Sequence, residues 1–300
     1  MRVLISGATG LIGGALARQL AGQGTECWGL SRRARAPDAT FQRWFAWDTL
    51  GQPLPPESLE GVDAVVHLAG DPVSEGRWTS EKKRRIRESR VQGTRAVVDA
   101  IRAASKRPSV LVSASATGFY GDRGDELVRE EAPAGNTFLA EVCAAWEQAS
   151  APVAELGVRL VQPRIGIVLA REGGAFPKML LPFRLGLGGR LGSGSQYFPW
   201  IHRDDMVGIL AYALTHASVS GAVNAVAPHP VTNRELTETL AQTLHRPAFA
   251  TVPPLALRVA LGELGAATIE SVRASADKIT GLGYAFSYPI LGPALRALVE

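Results

Sequence analysis

The sequence predicts a doubly wound α/β fold, a parallel sheet with helices on both faces, followed by a smaller C-terminal lobe. The chain opens on Val3-Leu4-Ile5-Ser6-Gly7-Ala8-Thr9-Gly10-Leu11-Ile12-Gly13, which reads as one unit: buried strand, glycine turn, helix start. Strand-like and helix-like segments then alternate as far as Arg164, the pattern of parallel strands joined by crossover helices. A length of 300 residues with 46% hydrophobic content is enough to bury such a sheet on both sides.

The elements follow in order. Val3–Ser6 is the first strand, and Ala15, Leu16, Leu20 and Ala21 continue the next segment as an amphipathic helix. Glu26–Leu30 is the second strand; Trp44, Trp47 and Asp48 are placed just after a third, with Asp48 a candidate for adenine contact. Ala64–Leu68 is the fourth strand, Ser80 to Ala104 a long helix, and Val110–Ser113 the fifth strand. A helix from Thr137 to Ala149 and a strand over Val158–Arg164 complete the series. Beyond residue 170 glycines accumulate at Gly173, Gly174, Gly186, Gly188, Gly189, Gly192 and Gly194, and periodicity stops. This part reads as an irregular layer over the sheet edge, with helices near Asn233–Leu244 and Leu255–Gly262. The expected organisation is a nucleotide-binding domain over 1–170, with contributions from about 200–230, and a mixed α/β substrate lobe over 171–300.

Composition removes several function classes. A net charge of +4 without a basic run interleaved with aromatics does not predict nucleic-acid binding. Cys27 and Cys143 are the only cysteines, so neither a disulfide framework nor a cysteine zinc site is expected, and a reducing, cytoplasmic setting fits. No secretory signal is visible. The uncharged stretch Met206 to Asn233 is interrupted by Gly208, His216, Gly221, Pro228 and Pro230, too often for the ~20 apolar residues of a membrane span. No metal site is expected: His202 beside Asp204 and Asp205 reads first as a helix N-terminus favoured by its dipole, with His202 kept as a contact of the substrate lobe.

The glycine turn carries the first chemistry. Gly7 permits a tight turn, Gly10 lets a pyrophosphate approach the backbone, and Gly13 lets helix and strand pack closely. With Thr9, Leu11 and Ile12 they present the free amides of a helix N-terminus to an anion. The second strand ends on Ser31, Arg32 and Arg33 with no acid to take ribose hydroxyls. A serine and two arginines instead suit a 2′-phosphate, so the expected cofactor is NADP; Arg35 extends the patch. On the basic helix, Ile86, Arg90, Gly93, Val97 and Ile101 fall on one stripe, which makes Arg90 a buried cation in need of an anion. Cofactor phosphate, an acidic substrate and a structural ion pair all answer that need, whereas Lys82 and Lys83 read as surface.

Further motifs resemble the extended short-chain dehydrogenase/reductases, the superfamily of nucleotide-sugar epimerases and dehydratases. His67-Leu68-Ala69-Gly70 resembles the fourth-strand segment walling the adenine and ribose; Val91-Gln92-Gly93-Thr94 resembles the helix motif that normally begins with Asn. Ser113 to Gly121 is similar to the fifth-strand serine motif ending in Tyr-Gly, and Pro163-Arg164-Ile165 to the segment lining the nicotinamide. Gly70-Asp71-Pro72, Leu139-Ala140-Glu141-Val142-Cys143, Leu181 to Gly189 and Phe198-Pro199-Trp200-Ile201-His202 resemble an atypical sub-branch called epimerase family protein, whose members carry a C-terminal domain of unknown function.

That resemblance implies a Tyr and, four residues later, a Lys on one helix, the pair that exchanges a proton with substrate. Counted from the helix start, those positions hold Phe138 and Val142, on an apolar stripe with Ala145 and Ala149, and Arg90 stands where the Asn is expected. Ser115, Tyr120 and Glu141 are the candidates for proton transfer in their place: the first two follow a strand end, and the third starts the neighbouring helix. Glu141 lies one position off the apolar face, where solvent competes with the site, and Lys178 and Arg184 are candidates for an anionic substrate group. The expectation is an NADP-dependent oxidoreductase or epimerase-like enzyme acting on a small molecule; the alternative is a catalytically silent NADP-binding protein. The resemblance also implies a homodimer through the helices Ser80–Ala104 and Thr137–Ala149.

Overall fold

The computed structural model describes residues 1–299. Strand β1 (Arg2–Ser6) enters helix α1 (Leu11–Gly22) through the glycine turn; β2 (Glu26–Ser31), β3 (Arg43–Ala46) and β4 (Ala64–His67) follow. Helix α2 (Ser80–Ala103) leads to β5 (Val110–Ser113), α3 (Phe138–Ser150) to β6 (Arg159–Ile165). The pairing order is β6-β5-β4-β1-β2-β3, all parallel, and Ser115–Ala116 prolongs β5 to pair with Arg164 and Ile165.

The sheet is buried on both faces, which is why its strands are apolar runs rather than alternations. Val3 and Ile5 point to one layer with Leu16, Ala17 and Leu20 of α1; Leu4 points to the other with Val97, Val98 and Ile101 of α2. Helix α3 packs along α2. Thr79 and Thr137 cap the two helices, their hydroxyls accepting the backbone N–H groups of Lys82 and Ala140.

The second half is more ordered than its composition predicts. After α4 (Phe176–Arg184), α5 (Arg203–Thr215) crosses the sheet and delivers β7 (Gly221–Ala225), which pairs with β6 as the edge strand. Helix α5 thus packs on the main sheet and β7 extends it. Met206, Val207, Ile209, Leu210, Ala213 and Leu214 of α5 are all buried, and burial nearly all round erases the amphipathic period. The remaining lobe centres on α4, α6 (Asn233–Leu244) and α8 (Leu291–Val299), whose Phe176, Leu180, Leu236, Leu240, Leu291 and Leu295 share a core; α7 (Pro254–Leu261) lies outside it. Leu127–Val128 pairs with Arg273–Ala274 and fastens the C-terminal segment back onto the first half. The Asp205 carboxylate does the same, accepting the N–H groups of Ser287 at 2.7 Å and Tyr288 at 2.8 Å.

A smaller correction concerns Trp44, which lies inside β3 opposite Gly29 and not after the strand. A Cβ on Gly29 would fall 2.4 Å from the Trp44 ring, so the glycine makes room for it.

Candidate functional site

A cleft of about 300 Å³ opens at the C-terminal ends of β1, β2 and β4, where the strand order reverses. Its wall holds Gly7, Thr9 and Gly10 of the turn, Ser31 at the end of β2 and Arg32 beyond it, Trp47 to Leu50 beyond β3, and Leu68 to Pro72 beyond β4. Helix α1 begins at Gly10 with no side-chain cap and no acid in its first turn, leaving its first N–H groups for an anion. Gly7 adopts φ +67°, and a Cβ there would meet the Leu68 carbonyl at 3.0 Å; one on Gly13 would lie 2.4 Å from the Gly7 oxygen. The cradle is therefore glycine by steric necessity, and its free amides fit a pyrophosphate.

Not every residue expected on the cofactor faces this cleft. Leu11 turns under Gly174 and Ile12 packs on the core, so only their backbone N–H groups belong to the helix N-terminus. His67 is fully buried, its Nδ1 2.6 Å from the Ser6 hydroxyl, and burial holds its pKa down to about 4. It ties β4 to β1 as a neutral ring; Leu68, Ala69 and Gly70 form the wall instead. The Ser31 hydroxyl donates to the Arg33 carbonyl, a bond that fixes the turn and leaves the Arg33 side chain exposed and off the wall. Arg35 lies over the Trp44 ring at 5.0 Å. Asp48 lines the cleft, its carboxylate accepting the Leu50 N–H.

A second cavity of about 410 Å³ adjoins the first across Gly70, where a Cβ would lie 3.1 Å from the Arg90 guanidinium carbon. Ala116-Thr117-Gly118 and Ile165-Gly166-Ile167 form its floor, and the lobe closes it with Met179, Phe198 and the segment Ala267 to Val272. Helix α3 presents Leu139, Val142, Cys143 and Trp146. This corrects the helix register: Phe138 turns away, 5.3 Å from the Trp78 ring and under the Lys83 ammonium, so the cavity-facing pairs four residues apart are Leu139 with Cys143 and Val142 with Trp146. None of the four is a Tyr or a Lys, and burial pushes the Cys143 thiol up to about 12, so it stays protonated.

The expected proton-transfer residues lie elsewhere. Ser115, buried, donates to Glu147 Oε1 at 2.7 Å. Tyr120 is fully buried, its hydroxyl 2.6 Å from Asn224 Oδ1 and accepting from Arg164 Nη1 at 3.0 Å. Arg164, expected beside the nicotinamide, points into the same network, with the Glu130 carbonyl at 2.9 Å and the Phe119 ring 3.5 Å away. Pro163 is buried in β6 opposite Val223, and only Ile165 of that motif reaches the cavity. Glu141 is exposed on the outer side of α3. A strand-end position alone does not distinguish a side chain aimed at the cleft from one aimed under the sheet.

His202 serves as the N-cap of α5, its Nδ1 accepting the Asp204 N–H at 3.1 Å, and it stacks on Tyr288. Lys178 donates to the Ser74 carbonyl, and Arg184 is exposed. Three cavity residues escaped the sequence reading as site groups: Thr117, Cys143 and Glu270. Glu270 left one signal, a lone carboxylate in the otherwise uncharged run Ala266 to Val272. Burial and the nearby Asp122 carboxylate raise its pKa to about 7.

The chain is similar to known proteins over its whole length. Residues 3–226 match the model of the NAD dependent epimerase/dehydratase family, and residues 252–298 a domain of unknown function, DUF1731. The chain is 39% identical to the chloroplastic epimerase family protein SDR39U1 homolog of Arabidopsis thaliana, over 100% of this chain and 87% of that protein. The crystal structure of human epimerase family protein SDR39U1 (isoform 2) with NADPH superposes with a TM-score of 0.91 at 35% identity, covering 99% of both chains. That of the nucleoside-diphosphate sugar epimerase from Corynebacterium glutamicum gives 0.82 at 35% identity, over 100% of this chain and 58% of the other.

Proposed function

The chain belongs to the NAD-dependent epimerase/dehydratase family, and from that premise we propose that it is an NADP-dependent oxidoreductase or epimerase-like enzyme acting on a small molecule. One observation carries the reading: an uncapped, glycine-built anion cradle lies beside a largely apolar cavity, the two separated by Gly70 and Arg90. In it, Gly7, Thr9, Gly10 and the first-turn amides of α1 hold the pyrophosphate, and Ser31 and Arg32 lie on the side of the 2′-phosphate. Leu68, Ala69 and Gly70 wall the nucleoside. The human relative crystallised with NADPH supports the choice of NADP. When bound, the cofactor supplies two-electron redox chemistry at its nicotinamide ring. The chain's part is to seat a substrate between Thr117 and the lobe, to exclude water with Phe198, Met179 and Trp146, and to supply a proton. Residues 1–170 with α5 and β7 act as the cofactor domain and the rest of 171–300 as the substrate lobe. Both cysteines are free and buried, which suits a reducing, cytoplasm-like compartment. Among the described residues no helix is long and apolar enough to cross a membrane.

A second reading, a silent NADP-binding protein, rests on the α3 face, where Leu139 and Cys143 supply no acid or base. Fluorescence titration with NADPH and NADH, followed by turnover over carbonyl compounds and nucleotide sugars, separates the two. Tight NADPH binding without consumption across the panel favours the silent protein. A preference for NADH removes the case for NADP.

A further inference from the structure

The wall between cleft and cavity contains a partly buried cation without a counter-ion. Arg90 Nη1 donates to the carbonyls of Ile86 and Asp71, each at 3.0 Å, and the guanidinium lies 5.0 Å from the Trp146 ring. Among the described residues no carboxylate lies within 4.0 Å of its nitrogens. The carboxylate of Asp71, whose carbonyl Arg90 holds, is already shared by Lys82 at 2.5 Å and Arg85 at 3.3 Å, and Glu88 pairs with Arg84 at 3.2 Å. Cys143 beside it stays a neutral thiol. Among the described residues Nε and Nη2 have no protein acceptor, and two N–H groups in a rigid fork are the complement of a carboxylate. A guanidinium partly shielded from solvent, with two unpaired N–H groups facing a cavity, binds an anion more strongly than one in open water does.

We infer that the cavity takes a small, largely apolar monoanion, a carboxylate on an aromatic or branched aliphatic body, with the Arg90 guanidinium as its anchor. This rests on reading the cavity as the substrate pocket beside the cofactor cleft. Three observations set the class. Val73, Ile86, Val142, Ile165, Met179 and Phe198 make most of the wall apolar, which suits an apolar body. Arg90 is the one cation lining the cavity among the described residues, which suits a single negative charge; a diphosphate would leave charge buried and unpaired. Glu270, the one carboxyl on that lining, holds its proton well above the usual carboxylate range, so near pH 7 it is only about half ionised and repels an anion less than an ordinary carboxylate would.

The test is calorimetric titration of the full chain, with and without saturating NADP⁺, by 3-phenylpropanoate and by its uncharged isostere 3-phenylpropanamide. The wild type is expected to bind the carboxylate at least about tenfold more tightly than the amide, a difference of about 1.4 kcal/mol. Arg90→Met abolishes that preference and Arg90→Lys keeps part of it, while fluorescence-measured NADPH affinity stays within about threefold in both. Should Arg90→Met fail to fold, Arg90→Lys and the wild-type contrast carry the test. Equal binding of acid and amide, or binding of neither, overturns the inference. So does an Arg90→Met variant that loses NADPH affinity and carboxylate affinity by the same factor, since Arg90 then serves the cofactor. If the wild type fails to bind NADPH, the cofactor reading falls alone, because the titration of the cofactor-free protein still reports on Arg90.

Discussion

The Glu147 carboxylate and the Arg164 guanidinium form a two-point ion pair between α3 and β6, Nε to Oε1 at 2.8 Å and Nη2 to Oε2 at 3.0 Å. Ser115, Tyr120 and, through Tyr120, Asn224 are bonded to it, so a strand, a helix and the edge strand β7 converge on one buried charge pair. Removing one member leaves the other charged and buried. Arg164→Met or Glu147→Gln is expected to destabilise the fold by about 3–5 kcal/mol, and the double substitution by less than the sum of the two. Urea unfolding measures this; losses under about 1 kcal/mol would show the pair to be dispensable.

Tyr120 belongs to this scaffold and not to the cavity. Tyr120→Phe strands the Asn224 amide oxygen and one Arg164 N–H, with an expected cost of about 1–3 kcal/mol. NADPH affinity and the pH dependence of any turnover are expected to stay as in the wild type. A changed pH profile in a variant of unchanged stability would return Tyr120 to the chemistry.

The two arginines after β2 are expected to part company. Arg32 lines the cleft, whereas Arg33 is exposed and off its wall. Arg32→Ala should weaken NADPH binding by about 1.5–3 kcal/mol, roughly ten- to hundredfold, with NADH affinity little altered. Arg33→Ala should change neither by more than about threefold. Competition of the two cofactors by fluorescence reads the difference; equal losses from both substitutions would mean that the turn reshapes around the ligand.

The cofactor half was legible because its signals are local. Gly7, Gly10 and Gly13 are spaced by the geometry of one turn, and the strands of a doubly buried sheet are short apolar runs bounded by turns. The substrate half was not, because its groups come from distant places. Thr117 follows β5, Cys143 lies on α3 and Glu270 precedes the strand that pairs with Leu127–Val128. Direction was the other loss. Period places a residue on an apolar face, yet Phe138 and Leu139 are adjacent on α3 and face different neighbours. Whether Arg164 reaches outward to a ligand or inward to Glu147 depends on a carboxylate 17 residues earlier, which periodicity does not register.

Glu270 gives the cavity a pH signature that needs no substrate. Its carboxyl is raised from 4.5 to about 7, first by burial and then by Asp122. Between those values the unfolded chain has released the proton while the folded chain keeps it, so the folded state binds more protons and stability falls as pH rises. Above about 7 both states are ionised and the loss is constant. Because the side chain is only half-buried, solvent screening reduces the effect to about 1–2 kcal/mol. Glu270→Gln is therefore expected to leave stability near pH 5 almost unchanged and to raise it by that amount near about pH 8, seen as a higher urea midpoint. The opposite arrangement, a carboxylate stabilised by a cation, would make the same substitution destabilising at high pH, and that outcome would remove Glu270 as the proton-holding group of the cavity.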